Sequence, residues 1–253
     1  MKIMDLKKMT KGRYKLNLSD GRDLVLYEEV IIHHLLLNNK EIDPKLEEVI
    51  IKENNNYQAY HLALQYIGIR MRCREEIRVY LKKKEVDNNL IDETVIQLEK
   101  EGYLNDEKFA IAFVNDKISL TNEGINKIER DLDNFKIDDA FIANALASVS
   151  DEILYDRINR LITKQLKTNN KYSGNMLKMK ILNYLIILGY DSTMVMESLD
   201  NVDLKNISNI KKEYDKLVKK YAMKYSGYKL EMTIKQKLYQ KGYDISEIEN
   251  VMK

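Results

Sequence analysis

The fold is decided by residues 57–113, which read YQAYHLALQYIGIRMRCREEIRVYLKKKEVDNNLIDETVIQLEKEGYLNDEKFAIAF. Apolar residues recur there at intervals of three and four, which predicts three short amphipathic helices. Asp87 is placed to cap the third helix, and Gly102 ends it because glycine readily takes the left-handed conformation. Another helix begins at Asn105 or Asp106, so one three-helix unit passes into the next without a linker.

The same pattern recurs to the end of the chain. Similar turns come roughly every 50 residues, as repeat architectures require; they lie at 84–86, 135–137, 188–191 and 241–244. Each follows an isoleucine and a leucine four positions apart: Ile77 and Leu81, Ile128 and Leu132, Ile181 and Leu185, Ile234 and Leu238. We therefore predict an all-α body of tandem three-helix repeats at 57–105, 106–150, 151–202 and 203–253. Stacked repeats would form a curved, elongated body; a single irregular helical domain is the alternative.

Residues 1–56 have a different character and predict a small α+β cap at the N terminus. Tyr14, Leu16 and Leu18 alternate with polar residues, which indicates a strand. Ser19-Asp20-Gly21 favours a tight hairpin turn, and residues 24–26 would form the returning strand.

Helices complete the predicted cap. Residues 30–37 read as helical, and Pro44 after Asp43 marks a further helix start, since proline suits the first helical position. The run Asn54-Asn55-Asn56 is the clearest boundary in the chain and predicts the end of the cap.

Composition narrows the class of protein. The sequence has one proline, nine glycines and one cysteine, which suits a helical protein of the reducing cytosol without an internal disulfide. No apolar run is long enough for a membrane span, and the first residues lack a signal core, so we expect a cytoplasmic protein. The formal net charge is only +2, lower than a small DNA-binding module usually carries.

Candidate catalytic residues are few. His33 and His34 are adjacent, so on a helix they would point in different directions and would not easily share one metal ion. Arginines flank Cys73 and could lower its pKa, but no histidine lies near it in sequence. No phosphate-binding loop, nucleophile elbow or dinucleotide fingerprint is present. We predict no metal, no cofactor and no enzymatic activity.

Charged residues are sorted along the chain. Residues 70–84 and 157–180 are mainly basic, whereas residues 85–107 are mainly acidic. Regular packing would align the basic residues into a stripe suited to phosphates or to an acidic protein groove. Lysines that merely solubilise exposed helix faces would give the same sorting, so both interpretations stay open.

Two stretches carry a resemblance to a known family. Residues 70–77, RMRCREEI, resemble the arginine-x-arginine-serine-x-x-glutamate-leucine signature of the RecX regulatory proteins. Residues 101–110, EGYLNDEKFA, resemble the second signature of that family still more closely. Cys73 stands where the family usually has serine or threonine, and the turn at 135–137 lacks the expected lysine-glycine pair.

The resemblance implies a non-enzymatic, monomeric cytoplasmic regulator. Such proteins bind the RecA filament on single-stranded DNA and limit its recombinase, ATPase and co-protease activities, and weak direct binding to DNA would be secondary. The basic stripe supplies the predicted contacts with the filament or DNA: Arg70, Arg72, Arg74, Arg78, Lys82, Lys164, Lys167, Lys171 and Lys178.

Two other hypotheses remain at this point. Helix-turn-helix-like units could bind DNA directly, which predicts tight and strongly salt-dependent binding to naked DNA. A hydrolase assembled from His61, Cys73 and distant carboxylates would require those groups to meet in the fold.

Overall fold

A computed structural model describes residues 1–168, 172–202 and 210–253. The chain packs as two compact units, Met1–Phe109 and Ala110–Lys253, and the division falls within the first turns of a helix. Helices dominate both units, and a small sheet lies at the N terminus. The predicted fold class, helical with a small α+β segment at the start, is confirmed.

A three-stranded antiparallel sheet begins the chain, with β1 (Ile3–Lys8), β2 (Arg13–Leu18) and β3 (Asp23–Tyr27) in that order. The predicted hairpin at Asp20-Gly21 is confirmed, and it sets Leu16 opposite Leu24. The sequence predicted two strands, and the additional strand β1 at the start of the chain was not predicted. Its pairing with β2 shifts register between Ile3 and Asp5, and this irregularity breaks the alternation by which strands are recognised.

Two helices pack against this sheet. The first, α1 (Glu28–His33), is shorter than the predicted 30–37, because Leu35 takes a left-handed conformation that a helix cannot continue through. The second, α2 (Pro44–Ile67), starts where Asp43 and Pro44 predict, and the Asp43 side chain accepts a hydrogen bond from the backbone N–H of Leu46.

The predicted break at Asn54-Asn55-Asn56 is wrong, since α2 runs through all three residues. The amide of Asn54 explains why the helix continues. Its oxygen accepts from the backbone N–H of Tyr27 at 2.9 Å, and its nitrogen donates to the carbonyl of Val25 at 3.3 Å. The side chain thus binds the end of β3 and leaves the helical backbone undisturbed.

The remaining helices are short, and no helix in the described ranges is both long and apolar enough to cross a membrane. They are α3 (Arg74–Lys83), α4 (Asn88–Lys100), α5 (Asp106–Leu120), α6 (Ile125–Asn134), α7 (Asp139–Leu146), α8 (Asp151–Thr168), α9 (Gly174–Ile187), α10 (Ser192–Asp200), α11 (Ile210–Tyr221), α12 (Gly227–Tyr239) and α13 (Ile245–Met252). Every isoleucine and leucine of the predicted pairs in α3, α6, α9 and α12 is buried, as the spacing predicted.

A residue in the left-handed conformation follows the end of each of those four helices by two or three positions. These residues are Glu85, Lys136, Gly189 and Gly242. Their regular recurrence supports the interpretation of the chain as four repeats, although the proposed limits of each repeat remain a prediction.

Two of these turns touch the start of an earlier helix in the second compact unit. The backbone N–H of Gly124, just before α6, donates to Leu188 O at 2.7 Å, and Asn126 N donates to Gly189 O at 2.9 Å. In the same way Ser173 N, before α9, donates to Lys241 O at 2.9 Å. A helix start therefore obtains backbone partners from the end of a later helix, which satisfies groups that every helix terminus leaves free.

Candidate functional site

The basic stretch from residue 70 begins with an arginine that lies inside the first compact unit. The guanidinium of Arg72 stacks over the ring of Tyr66, with 3.8 Å from its central carbon to the ring centroid. It also donates to Glu76 Oε1 at 2.9 Å, and the whole residue is 8% exposed. A cation so stacked and paired stabilises the junction of α2 and α3. Its guanidinium is already occupied by contacts within the chain.

Arg70 shares the same glutamate but keeps access to solvent. Its Nη2 donates to Glu76 Oε1 at 2.5 Å, and its Nη1 donates to Met71 O at 2.9 Å. About half of the Arg70 side chain is exposed, with a value of 51%. One carboxylate thus faces two guanidinium groups, and this cluster retains a positive charge on the side of Arg70.

Arg74 binds an aspartate that begins α5. Asp106 accepts from the backbone N–H of Arg74 at 2.9 Å through Oδ1 and from its Nε at 2.8 Å through Oδ2. Because it accepts from the first backbone N–H of α3, Asp106 caps that helix although it belongs to α5. Its side chain is almost fully buried. Arg74 Nη1 reaches Glu99 at 3.4 Å as well.

The exposed side of α3 continues the basic stretch. Arg78 Nε lies 3.1 Å from Asp92 of α4, and both side chains are substantially exposed, so their interaction is weak. Lys82 and Lys83 follow at the end of α3, exposed and without an ion pair in the part of the chain that the structure describes. Their position suits the negative end of the helix dipole.

In the second compact unit, α8 carries a row of free cations. Arg160, Lys164 and Lys167 are exposed and occupy positions i, i+4 and i+7, which lie along one side of a helix. None has an ion-pair partner among the described residues. We call these three residues the α8 cation row; at 1.5 Å per residue it spans about 10 Å.

The other two predicted contacts of this unit differ. Lys178 of α9 forms an ion pair with Asp200, which reduces the charge it offers to a partner. Lys171 lies outside the described residues.

Arg157, next to the α8 cation row in sequence, belongs to the interior. Its guanidinium donates to Thr121 O at 2.9 Å and to Glu123 O at 3.1 Å, and it also donates to Ile118 O. Tyr190 Oη accepts from its Nε at 3.2 Å. Arg157 thus satisfies one carbonyl in the last turn of α5 and two in the segment that follows it. From the sequence alone, Arg157 was grouped with the other basic residues of 157–180, because nothing in the neighbouring sequence distinguishes it from Arg160.

Cys73 has none of the features of a nucleophile. It is fully buried, and burial raises the pKa of its thiol to about 12, the reverse of the lowering that its flanking arginines suggested. Glu76 accepts from its backbone N–H at 3.4 Å, which makes Cys73 part of a capping box for α3. His61 instead stacks on Tyr27 with ring centroids 4.8 Å apart. Among the described residues, neither His61 nor Cys73 belongs to a close group of three or more His, Cys, Asp or Glu side chains, which the hydrolase hypothesis required.

A cluster that sequence reasoning missed joins α1 to α2. His33 Nδ1 lies 2.7 Å from Glu53 Oε1, and His34 Nε2 lies 2.6 Å from Glu53 Oε2. Burial opposes ionisation of Glu53, but the hydrogen bonds from both histidines outweigh it, so the pKa of Glu53 is lowered. The expectation that the adjacent histidines diverge is wrong, because α1 ends at His33 and His34 adopts a non-helical conformation.

Residues 59–98 match the model of the family described as RecX, first three-helix domain. That range covers the end of α2, all of α3 and nearly all of α4. It also contains the contacts of Arg72 with Tyr66 and Glu76.

Curated relatives match almost the whole chain. A regulatory protein RecX from Bacillus cereus is 30% identical, over 97% of this chain and 94% of its own length. One from Halalkalibacterium halodurans is 29% identical, over 98% of this chain and 97% of its own length.

Solved structures share the fold. A crystal structure of regulatory protein RecX has a TM-score of 0.65 at 23% identity and covers 79% of this chain and 99% of its own. That of RecX from Lactobacillus salivarius has a TM-score of 0.55 at 22% identity, covering 60% of this chain and 99% of its own.

Proposed function

Because this chain belongs to the RecX family of regulatory proteins, we propose that it binds RecA filaments on single-stranded DNA and restrains their activities. Those activities are DNA-dependent ATP hydrolysis, strand exchange and co-protease function in DNA repair and recombination. In this proposal the protein acts in the cytoplasm as a monomer, and binding to the filament requires neither a cofactor nor catalysis.

The α8 cation row carries this proposal. Its three charges are exposed and have no acidic partner among the described residues, so no nearby carboxylate of the described chain weakens their attraction for a polyanion. Neighbouring members of the row are about one helical turn apart, which allows them to meet phosphates or carboxylates together. A filament of protein on DNA offers both kinds of anion.

The first compact unit contributes surface cations from α3 and from the segment just before it. Arg70, Arg78 and Lys82 keep charge at the surface, and we assign partner contacts to them. Arg72 and Arg74 hold the fold in place through Tyr66 and Asp106, so they orient this surface. Several weak contacts joined in one chain would reinforce one another on a polymer with repeating subunits.

The test is inhibition of RecA ATP hydrolysis on single-stranded DNA, titrated with the protein and with a charge-reversal variant. Lys164→Glu/Lys167→Glu reverses two charges of the α8 cation row at exposed positions. We expect its inhibition curve to shift to higher concentration by about tenfold or more, since each reversed contact replaces attraction by repulsion. The helical circular dichroism of the variant should be unchanged.

Lys45→Glu/Lys52→Glu is the matched control. These two lysines are also exposed, also lie on one helix and give the same change of net charge. The control should inhibit like the unchanged protein. Equal inhibition by both variants and the parent would remove the α8 cation row from the mechanism.

Direct binding to naked DNA is the second candidate, because the same cations suit phosphates. It predicts that affinity for DNA falls steeply as the salt concentration rises. The slope of log K against log salt concentration should become shallower by about one for each phosphate contact removed. Fluorescence anisotropy with labelled single-stranded DNA, with and without RecA, separates the two functions. Affinity that is high without RecA and unchanged by it would favour the DNA-binding function.

A further inference from the structure

Three potential metal ligands converge where α1 meets α2 in the first compact unit. His33 comes from the last position of α1, His34 follows it, and Glu53 comes from the middle of α2. One ligand atom from each, Nδ1 of His33, Nε2 of His34 and a carboxylate oxygen of Glu53, lies within 4.8 Å of the others.

We propose that His33, His34 and Glu53 form a binding site for a divalent transition-metal ion, of which Zn²⁺ is the best match. Two imidazoles and one carboxylate are the ligand set of many zinc sites that keep a fourth position open. Imidazole also suits copper and nickel, whereas magnesium and calcium prefer a full set of oxygens. The chemistry of the three side chains therefore selects the class of ion.

The distances fit after a small movement of side chains. Zinc takes ligands at about 2.1 Å, so two ligands of a tetrahedral ion lie about 3.3–3.5 Å apart. The two nitrogen–oxygen distances, 2.7 Å to Oε1 of Glu53 and 2.6 Å to its Oε2, would each widen by less than about 1 Å if the carboxylate held the ion through both oxygens. Each neutral imidazole would then carry its proton on the nitrogen that faces away from the ion.

The surroundings combine a rigid frame with an open approach. Ile31 of α1 and Ile50 of α2 are buried in the same core cluster, which fixes the two helices that supply the ligands. Lys40 donates a hydrogen bond to the backbone carbonyl of His34 and holds the segment after α1. The side chains of His34 and Glu53 are 14% and 21% exposed, whereas that of His33 is 67% exposed, which leaves a path for an ion and for a fourth, water ligand.

The experiment is calorimetric titration of tag-free, chelator-treated full-length protein with ZnCl₂, repeated with Co²⁺ to read coordination from its visible spectrum. We expect one equivalent to bind and the melting temperature to rise, because the ion binds the folded state. His33→Gln/His34→Gln keeps hydrogen-bond donors beside Glu53 but removes both imidazoles. It should lose affinity by at least about 100-fold, beyond the roughly 10–100-fold cost of losing an outer-shell partner.

His61→Gln is the control, since His61 is the only other histidine and lies against Tyr27. It should bind like the parent. Zinc-induced shifts of the ring signals of His33 and His34 in the NMR spectrum of the unchanged protein give a readout that requires no variant. Absence of stoichiometric binding, or binding that persists in the double variant, would overturn the proposal.

Discussion

The glycines at the contact between α6 and the end of α9 allow a prediction in which two physical effects separate. Gly189 has φ of +92°, and an added Cβ would lie 2.5 Å from the backbone nitrogen of Lys127. Gly124, its neighbour across the contact, has an ordinary φ of −90°, but a Cβ there would lie 2.5 Å from Gly189 O. Gly102 has φ of +81° with nothing within 4 Å of a Cβ.

Alanine at these positions tests strain and crowding one at a time. Gly102→Ala adds left-handed strain alone and should lower the free energy of unfolding by about 1–2 kcal/mol. Gly124→Ala adds crowding alone and should cost about 1–3 kcal/mol. Gly189→Ala adds both and should cost about 2–5 kcal/mol, since the chain must separate and weaken the hydrogen bonds from Gly124 and Asn126.

Urea denaturation followed by far-ultraviolet circular dichroism measures all three variants against the parent. Gly189→Ala should lower the free energy of unfolding more than either of the other two variants. If Gly189→Ala costs no more than Gly102→Ala, the close backbone approach does not stabilise the second unit, and our account of this contact is wrong.

Three further predictions concern stability. Asp106→Ala should lower the free energy of unfolding by about 2–3 kcal/mol, because two donors of Arg74 lose their acceptor; urea denaturation measures this, and Asp106→Asn, which keeps one acceptor, should cost less. Lys136→Gly should raise the same free energy by about 0.5–1 kcal/mol, because Lys136 has φ of +54°; an unchanged or lowered midpoint would contradict this. Burial opposes ionisation of Glu123, but the hydrogen bonds from Lys117 and Lys127 together outweigh it and lower the Glu123 pKa. The stability that Glu123 contributes is therefore present above its unfolded pKa of about 4.3 and is lost as pH falls through the lower folded value. As the pH falls below about 4.3, the Glu123→Gln variant should therefore lose less stability than the parent. Parallel pH profiles of the two proteins would show that Glu123 does not contribute this stability.

Local pattern was enough to predict most of the helical part. The isoleucine–leucine pairs are buried because their spacing places both residues on one face of a helix, a property of the sequence alone. Asp43 and Pro44 likewise fixed the start of α2, because capping involves only neighbouring residues.

The errors arose where partners distant in sequence decide the outcome. Asn54 looked like a helix terminator, but β3 supplies partners for its amide. Glu53 lies about twenty residues from His33 and His34, so only the packing of α2 against α1 brings it to them. The arginines of the basic stretch were indistinguishable in sequence, although Arg72 is stacked inside the unit and Arg70 stays half-exposed.

Cys73 makes the protein its own probe of local opening. It is the chain's single cysteine, it lies fully buried at the start of α3, and burial raises the pKa of its thiol to about 12. Since only an exposed thiolate reacts, the rate at which a thiol-specific dye labels the protein would follow how readily this helix start detaches from its surroundings. Labelling in the presence of a bound partner would then report protection of that region without any substitution in the chain.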